Sequence, residues 1–171
     1  MRQIGEAFVA RNAVVVGDVV LSPGANVWYG CVVRGDLGRI TLGRNANIQD
    51  GTIIHTDFGE PMDIEDGVVV GHRATLHGRV IGKGTLVGMG ATLLARCEIG
   101  PECLIAAGSL VTEGKKIPPR SVVMGMPGRV IRQASDEDLA RSAEIAAHYL
   151  DMARRHARGE FPPPWGSEVE G

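Results

Sequence analysis

Aliphatic residues recur at every sixth position along most of this chain. They fall at Val9, Val15, Leu21, Val27 and Val33, then at Leu42, Ile48 and Ile54, then at Ile64, Val70 and Leu76. A last run takes in Ile81, Val87, Leu93, Ile99, Ile105 and Val111. Four residues after most of them comes a small side chain: Ala13, Val19, Ala25, Cys31, Ala46, Thr52, Val68, Ala74, Val80, Thr85, Ala91, Cys97, Cys103 and Ser109. The small residue and the next aliphatic one are two apart, so both point to the same side of a short strand. The chain must then turn, and glycine, which often follows the aliphatic residue (Gly43, Gly71, Gly82, Gly88, Gly100), suits a corner. Three such edges close a triangular coil of ~18 residues, each coil ~4.8 Å above the last through parallel pairing. A helix would need apolar residues at spacings of three and four, which this stretch does not sustain.

The register breaks in three places. Three extra residues enter between Val33 and Leu42, around Leu37-Gly38-Arg39, and four enter between Ile54 and Ile64, within TDFGEPMD. One residue is missing between Leu76 and Ile81. Both insertions read as corner loops, where such scaffolds carry function. In IPPRSVVMGMPGRVIR, residues 117–132, the adjacent Pro118 and Pro119 are expected to end the repeat. A helix follows, with Ser135 and Asp138 forming a start like a capping box and acidic residues filling its first turn. Its apolar stripe is Leu139, Ala143, Ala146, Tyr149, Leu150 and Ala153, predicted to pack on the β-coils or on a neighbouring subunit. The reading divides the chain into a β-helix at 1–132 and a helix with a loosely ordered Pro-rich tail at 133–171.

The repeat resembles that of the hexapeptide, left-handed parallel β-helix family over roughly residues 5 to 130. The expected fold class is therefore all-β with a C-terminal α-helix. The left hand comes from the resemblance alone, because ordinary crossover preference is right-handed. Composition agrees with a narrow interior: hydrophobic residues make up 44% of the 171 but aromatics only 4%, and there are 24 glycines. A net charge of −2 lacks the basic footprint of a nucleic-acid binder. No apolar run approaches the ~20 residues of a membrane span, and MRQIGEAFVARNA is not a secretory signal, so a cytoplasmic protein is expected. Three cysteines without C-x-x-C spacing make no disulfide framework. Cys31, Cys97 and Cys103 all fall at small inward positions and read as core.

The register also serves as a ruler for the histidines. Arg34, His55 and His77 each follow their aliphatic residue by one, so they stack at one corner on successive coils. Gln49 follows its own by one, while Asp50 and His72 follow theirs by two and stack at a different corner. His55 and His77 are therefore neighbours across 22 residues of sequence. His72, only five residues from His77, lies roughly 16 Å along extended chain from it. One zinc–nitrogen bond spans ~2.0–2.1 Å, so His72 cannot join the other two within one chain. A threefold rotation of parallel prisms would bring His55 and His77 of one subunit to His72 of the next. Three imidazoles and an open fourth position form a catalytic zinc arrangement. His148 and His156, on the helix, read as ordinary surface residues.

The motifs RGD at 34–36, NIQDGTIIH at 47–55, GH at 71–72 and LHG at 76–78 resemble those of the γ-class carbonic anhydrases. The resemblance implies a homotrimer with interfacial metal sites that reversibly hydrates carbon dioxide to bicarbonate. It gives the ligand role to His55, His72 and His77, and substrate or product positioning to Arg34, Asp36, Gln49 and Asp50. Zinc is the metal implied; iron and cobalt suit the same imidazoles. One departure stands out, since the prototype carries glutamate directly after the RGD aspartate and this chain has Leu37. Its loop offers Asp57, Glu60 and Asp63 with no clear equivalence. Two other readings stay open on the same scaffold, an acyl-CoA thioesterase or acyltransferase and a catalytically silent metal-binding trimer.

Overall fold

The computed structural model describes residues 1–163, and all but the first three residues of the tail FPPPWGSEVEG lie outside them. The hexapeptide pattern folds as a left-handed β-helix with three faces. The first face stacks Ala7–Val9, Asn26–Val27, Asn47–Ile48, Val69–Val70, Leu86–Val87, Leu104–Ile105 and Ser121–Gly125 in parallel. The second begins with the N-terminal halves of Val14–Leu21 and Val32–Leu42. It continues through Ile53–His55, Thr75–Leu76, Thr92–Leu93 and Leu110–Val111. The C-terminal halves of the same two long strands open the third face, followed by Met62–Ile64, Val80–Ile81, Glu98–Ile99 and Lys116–Ile117.

Aliphatic residues of successive repeats pair directly, as in Val27, Ile48, Val70, Val87, Ile105 and Val123 up the first face. Their side chains are fully buried with the small residues Ala25, Cys31, Ala46, Ala74, Ala91 and Cys97 beside them. The glycines after the aliphatic residues serve a need other than turn geometry. A Cβ on Gly82 or Gly88 would lie 2.4 Å from a backbone nitrogen of the next coil, so these positions allow the coils to stack. The left-handed turn residues sit elsewhere in the repeat, at Gly30, Gly51 and Gly90 among others.

Several local expectations need correction. The insertion between Val33 and Leu42 is not a loop: Val32–Leu42 is one strand that bends through a corner alongside Val14–Leu21, with a register shift after Gly17. Gly17 and Gly35 lie back to back, and a Cβ on Gly17 would meet the Gly35 oxygen at 2.3 Å, so two glycines let the strand continue. The second insertion is a loop, residues 56–61, whose Gly59 amide donates to the Leu37 carbonyl. Val80 is not the inward residue of its shortened repeat. Gly78 is buried there, and a Cβ on it would come within 2.9 Å of Cys97 Sγ.

The prolines also fail to end the repeat. Ser121–Gly125 adds one more parallel strand, and Gly128–Gln133 then returns antiparallel to it. At the other end Arg2–Ile4 covers Ala7–Val9 in the same way. Both ends of the first face thus finish in antiparallel strands, which protects otherwise open sheet edges.

The helix Asp136–Ala157 carries the expected capping box at Ser135 and Asp138. It packs on its own chain, across the first face at Ala7–Val9, Asn26–Val27, Asn47–Ile48 and Val69–Val70. Its buried positions are Ser142, Ala146 and Ala153, whereas Ala143, assigned to the stripe, is exposed. The scarce aromatics gather at this seam. Phe8, Trp28 and Tyr29 meet Tyr149, Leu150 and Ala153, with Trp28 edge-on to Tyr149 at 5.2 Å between centroids. Among the described residues no helix is long and apolar enough to cross a membrane.

Candidate metal centre

Strand pairing sets Arg34 opposite His55, and His77 follows one coil later. The His77 Nε2 atom lies 3.3 Å from His55 Nδ1. Behind each ring stands a carboxylate: Asp36 Oδ1 is 3.1 Å from His55 Nε2, and Asp57 Oδ2 is 3.9 Å from His77 Nδ1. A carboxylate only accepts, so in the neutral His55 ring the proton sits on Nε2 and Nδ1 turns a lone pair toward His77. Asp57 is beyond hydrogen-bond reach of His77, so His77 Nε2 either donates to His55 Nδ1 or turns a second lone pair to a cation between the two rings. Two imidazole nitrogens on one tetrahedral zinc are themselves ~3.3 Å apart. The pair fits half of such a site, and among the described residues no third His, Cys, Asp or Glu completes it.

Arg34 donates to Asp36 Oδ2 at 2.6 Å. This hydrogen bond, and then the one with His55, holds the Asp36 carboxyl below its usual range. Arg34, Asp36 and His55 thus form one connected corner.

His72 lies at the other corner, away from that pair. Its Nδ1 is 3.0 Å from Asp50 Oδ2, and its Nε2 is 3.2 Å from the Tyr149 hydroxyl. Burial, and then the charge on Asp50, push the Tyr149 phenol up, so it keeps its proton and donates to Nε2. The arrangement mirrors the first corner, with a carboxylate behind the ring and a lone pair in front. Tyr149 is the residue that pattern reading missed. The helical spacing assigns it to the apolar stripe, although a tyrosine at a buried seam usually brings its hydroxyl to a partner.

Gln49 is 4% exposed and sits apart from the imidazoles in a polar ladder under the helix. Its Nε2 donates to Asn47 Oδ1 at 3.0 Å, and Asn47 donates to Asn26 Oδ1 at 2.7 Å. Trp28 Nε1 donates to the same Asn26 oxygen. His156 bonds the Tyr29 hydroxyl, packs on Trp28 and feels the charge on Asp50, and His148 is exposed. The three cysteines are buried and free.

A family model described as bacterial transferase hexapeptide (six repeats) matches residues 80–113. A Bacillus cereus structure described as a putative acetyltransferase is 35% identical, covers 91% of this chain and 90% of that one, and superposes with a TM-score of 0.87. The fold thus defines a hexapeptide-repeat β-helix protein. A probable carbonic anhydrase from Methanocaldococcus jannaschii is 43% identical over 85% of this chain and 91% of its own length. A mitochondrial γ carbonic anhydrase of Arabidopsis thaliana is 39% identical over 92% of this chain, which spans only 60% of that relative. The chain belongs to the γ-carbonic-anhydrase-like hexapeptide family.

Proposed function

We propose that this chain is a zinc-dependent carbonic anhydrase whose metal centres are shared between the subunits of a homotrimer. The observation that carries this reading is the pair of facing nitrogens on His55 and His77, set at the bite of a tetrahedral ion and short of a third ligand. His72 Nε2 of the adjacent subunit supplies that third nitrogen once the Tyr149 hydroxyl gives way. The second face supports the assembly. Val14 and Ile53, each about half exposed, share one outer row of that face, and the exposed Val16 and Leu94 stand in the adjoining row above and below Arg34, His55 and His77. This apolar stripe runs between the two histidine corners, as an interface built around the site requires.

A zinc ion held there supplies Lewis acidity that lowers the pKa of a water from 15.7 to about 7. The chain's own groups do the rest. Asp36 and Asp50 fix the tautomers of His55 and His72, and Asp57 stands 3.9 Å behind His77. The Arg34 guanidinium, 44% exposed beside Asp36, is placed to hold the anionic product. Gln49 acts through the ladder beneath the helix, which fixes the strand Asn47–Ile48 just ahead of the Asp50 turn.

A second reading, an acyl-CoA thioesterase or acyltransferase, draws on an apolar groove beside Tyr149. The groove is walled by Val69, Leu86, Leu104 and Ile145. Stopped-flow carbon dioxide hydration by metal-quantified protein, run beside acyl-CoA hydrolysis, separates the two. Full metal occupancy with no hydration removes the first reading.

A further inference from the structure

The corner that carries His72 holds a column of turn residues, all in the left-handed backbone region: Gly30, Gly51, Arg73, Gly90 and Gly108. Only Arg73 has a side chain, and it occurs on the coil of His72 itself. L residues rarely adopt this conformation, and arginine has no local means of favouring it. The described residues include four other non-glycine residues of this kind, and each has a visible use. Arg96 bonds Glu113, Arg120 bonds Asp136, and Glu102 faces Arg120 at 3.9 Å. Asn45 is of the type that tolerates the conformation, and it packs against Gly24. Of the charged residues in this conformation, Arg73, Arg96, Glu102 and Arg120, only Arg73 has no charged partner among the described residues.

We propose that Arg73 forms an ion pair across the subunit interface with Asp57 of the neighbouring subunit, fastening the 56–61 loop over the shared site. This rests on the trimer proposed above. In that trimer the His72 corner meets the corner of His55 and His77, and Asp57 is the carboxylate that stands 3.9 Å behind His77. Asp57 has no arginine or lysine partner of its own among the described residues, and its side chain is half exposed. The heights agree as well. The Arg73 side chain folds over Gly51, with its Cγ 3.2 Å from where a Cβ there would be. Gly51 belongs to the same coil as His55 and the loop, so in a rotation without translation Arg73 and Asp57 stand at one level. The next residue, Phe58, is 86% exposed and would be covered when the loop is fastened.

The test is a charge-reversal cycle, Arg73→Glu, Asp57→Arg and the double variant, followed by sedimentation velocity across a concentration series with zinc supplied and quantified. Each single reversal is expected to raise the dissociation midpoint about tenfold, and the double variant to recover most of that loss. Arg73→Gly, which relieves the backbone and keeps the fold, should weaken assembly while leaving the thermal stability of the chain equal or higher. A double variant no better than its worse parent, or an Arg73→Gly trimer as tight as wild type, overturns the pairing and leaves the trimer intact. A wild type that sediments as a monomer throughout overturns the shared-site trimer itself, and the pairing with it.

Discussion

His55 and His72 each have a carboxylate within hydrogen-bond reach of one ring nitrogen, and Asp57 stands 3.9 Å from His77 Nδ1. Such outer-shell carboxylates usually contribute 10–100-fold to metal affinity. Asp36→Asn should therefore lower zinc affinity by about 10–100-fold in chelator competition while leaving far-UV circular dichroism unchanged. The cysteines behave in the opposite way. Burial pushes Cys31 up to about 11 and Cys97 up to about 12. The folded chain keeps these protons while the unfolded chain releases them above the ordinary thiol value of about 8.5. Their effect on stability is nil below that pH and unfavourable as pH rises through the window. Denaturant midpoints should fall between pH 8 and pH 10, and Cys97→Ala should show a smaller fall. An equal fall in both proteins would remove Cys97 as a cause. Residue register was legible from the sequence because the six-residue period fixes which side chains stack. The Tyr149 contact with His72 was not, since it depends on where the helix crosses the first face.

Among the elements, the coil is limited by backbone approach and the helix by its cap. Gly88→Ala places a methyl 2.4 Å from the backbone of the next coil, whereas Gly90→Ala meets nothing and strains only the left-handed turn. Gly90→Ala should cost about 1 kcal/mol. Gly88→Ala should cost clearly more, since the two coils must separate. Thermal melts of the two variants check the order, and a reversed order would show that turn conformation rather than stacking governs these positions. At the helix, the Arg132 guanidinium and the Ser135 amide hold Asp138 well below the carboxylate range. Ser135→Ala should cost about 1 kcal/mol and speed hydrogen exchange in the first helical turn. The extra parallel strand keeps the period, with Val123 six residues after Ile117, but the prolines between them masked it. The antiparallel returns at both ends continue no hexapeptide motif, and what defines them is an edge that needs covering.

At the scale of the molecule, an isolated chain brings two imidazoles to one corner and the third to another. The zinc site proposed above would then take its ligands from two chains, which a mixture of His72→Ala and His77→Ala subunits tests. Each parent trimer should bind no zinc at the shared site. In a threefold ring every mixed trimer contains one junction with all three histidines, so an equal mixture should recover about a quarter of wild-type sites. Recovery no greater than in either parent would rule out shared ligation.

The sequence alone determined the coil, its three faces and the separation of His72 from His55 and His77. A strict period of six with alternating inward residues leaves one way to bury them. It also determined the helix start, because a capping box is local chemistry. Tertiary structure decided what has no period. The 34–42 segment stays in a strand because Gly17 and Gly35 meet across coils. Gln49 serves a buried ladder because the helix lies over it. The Tyr149 hydroxyl reaches His72 because the aromatic seam fixes the crossing of helix and prism. These outcomes depend on contacts between segments far apart in the chain, and no local pattern encodes such distances.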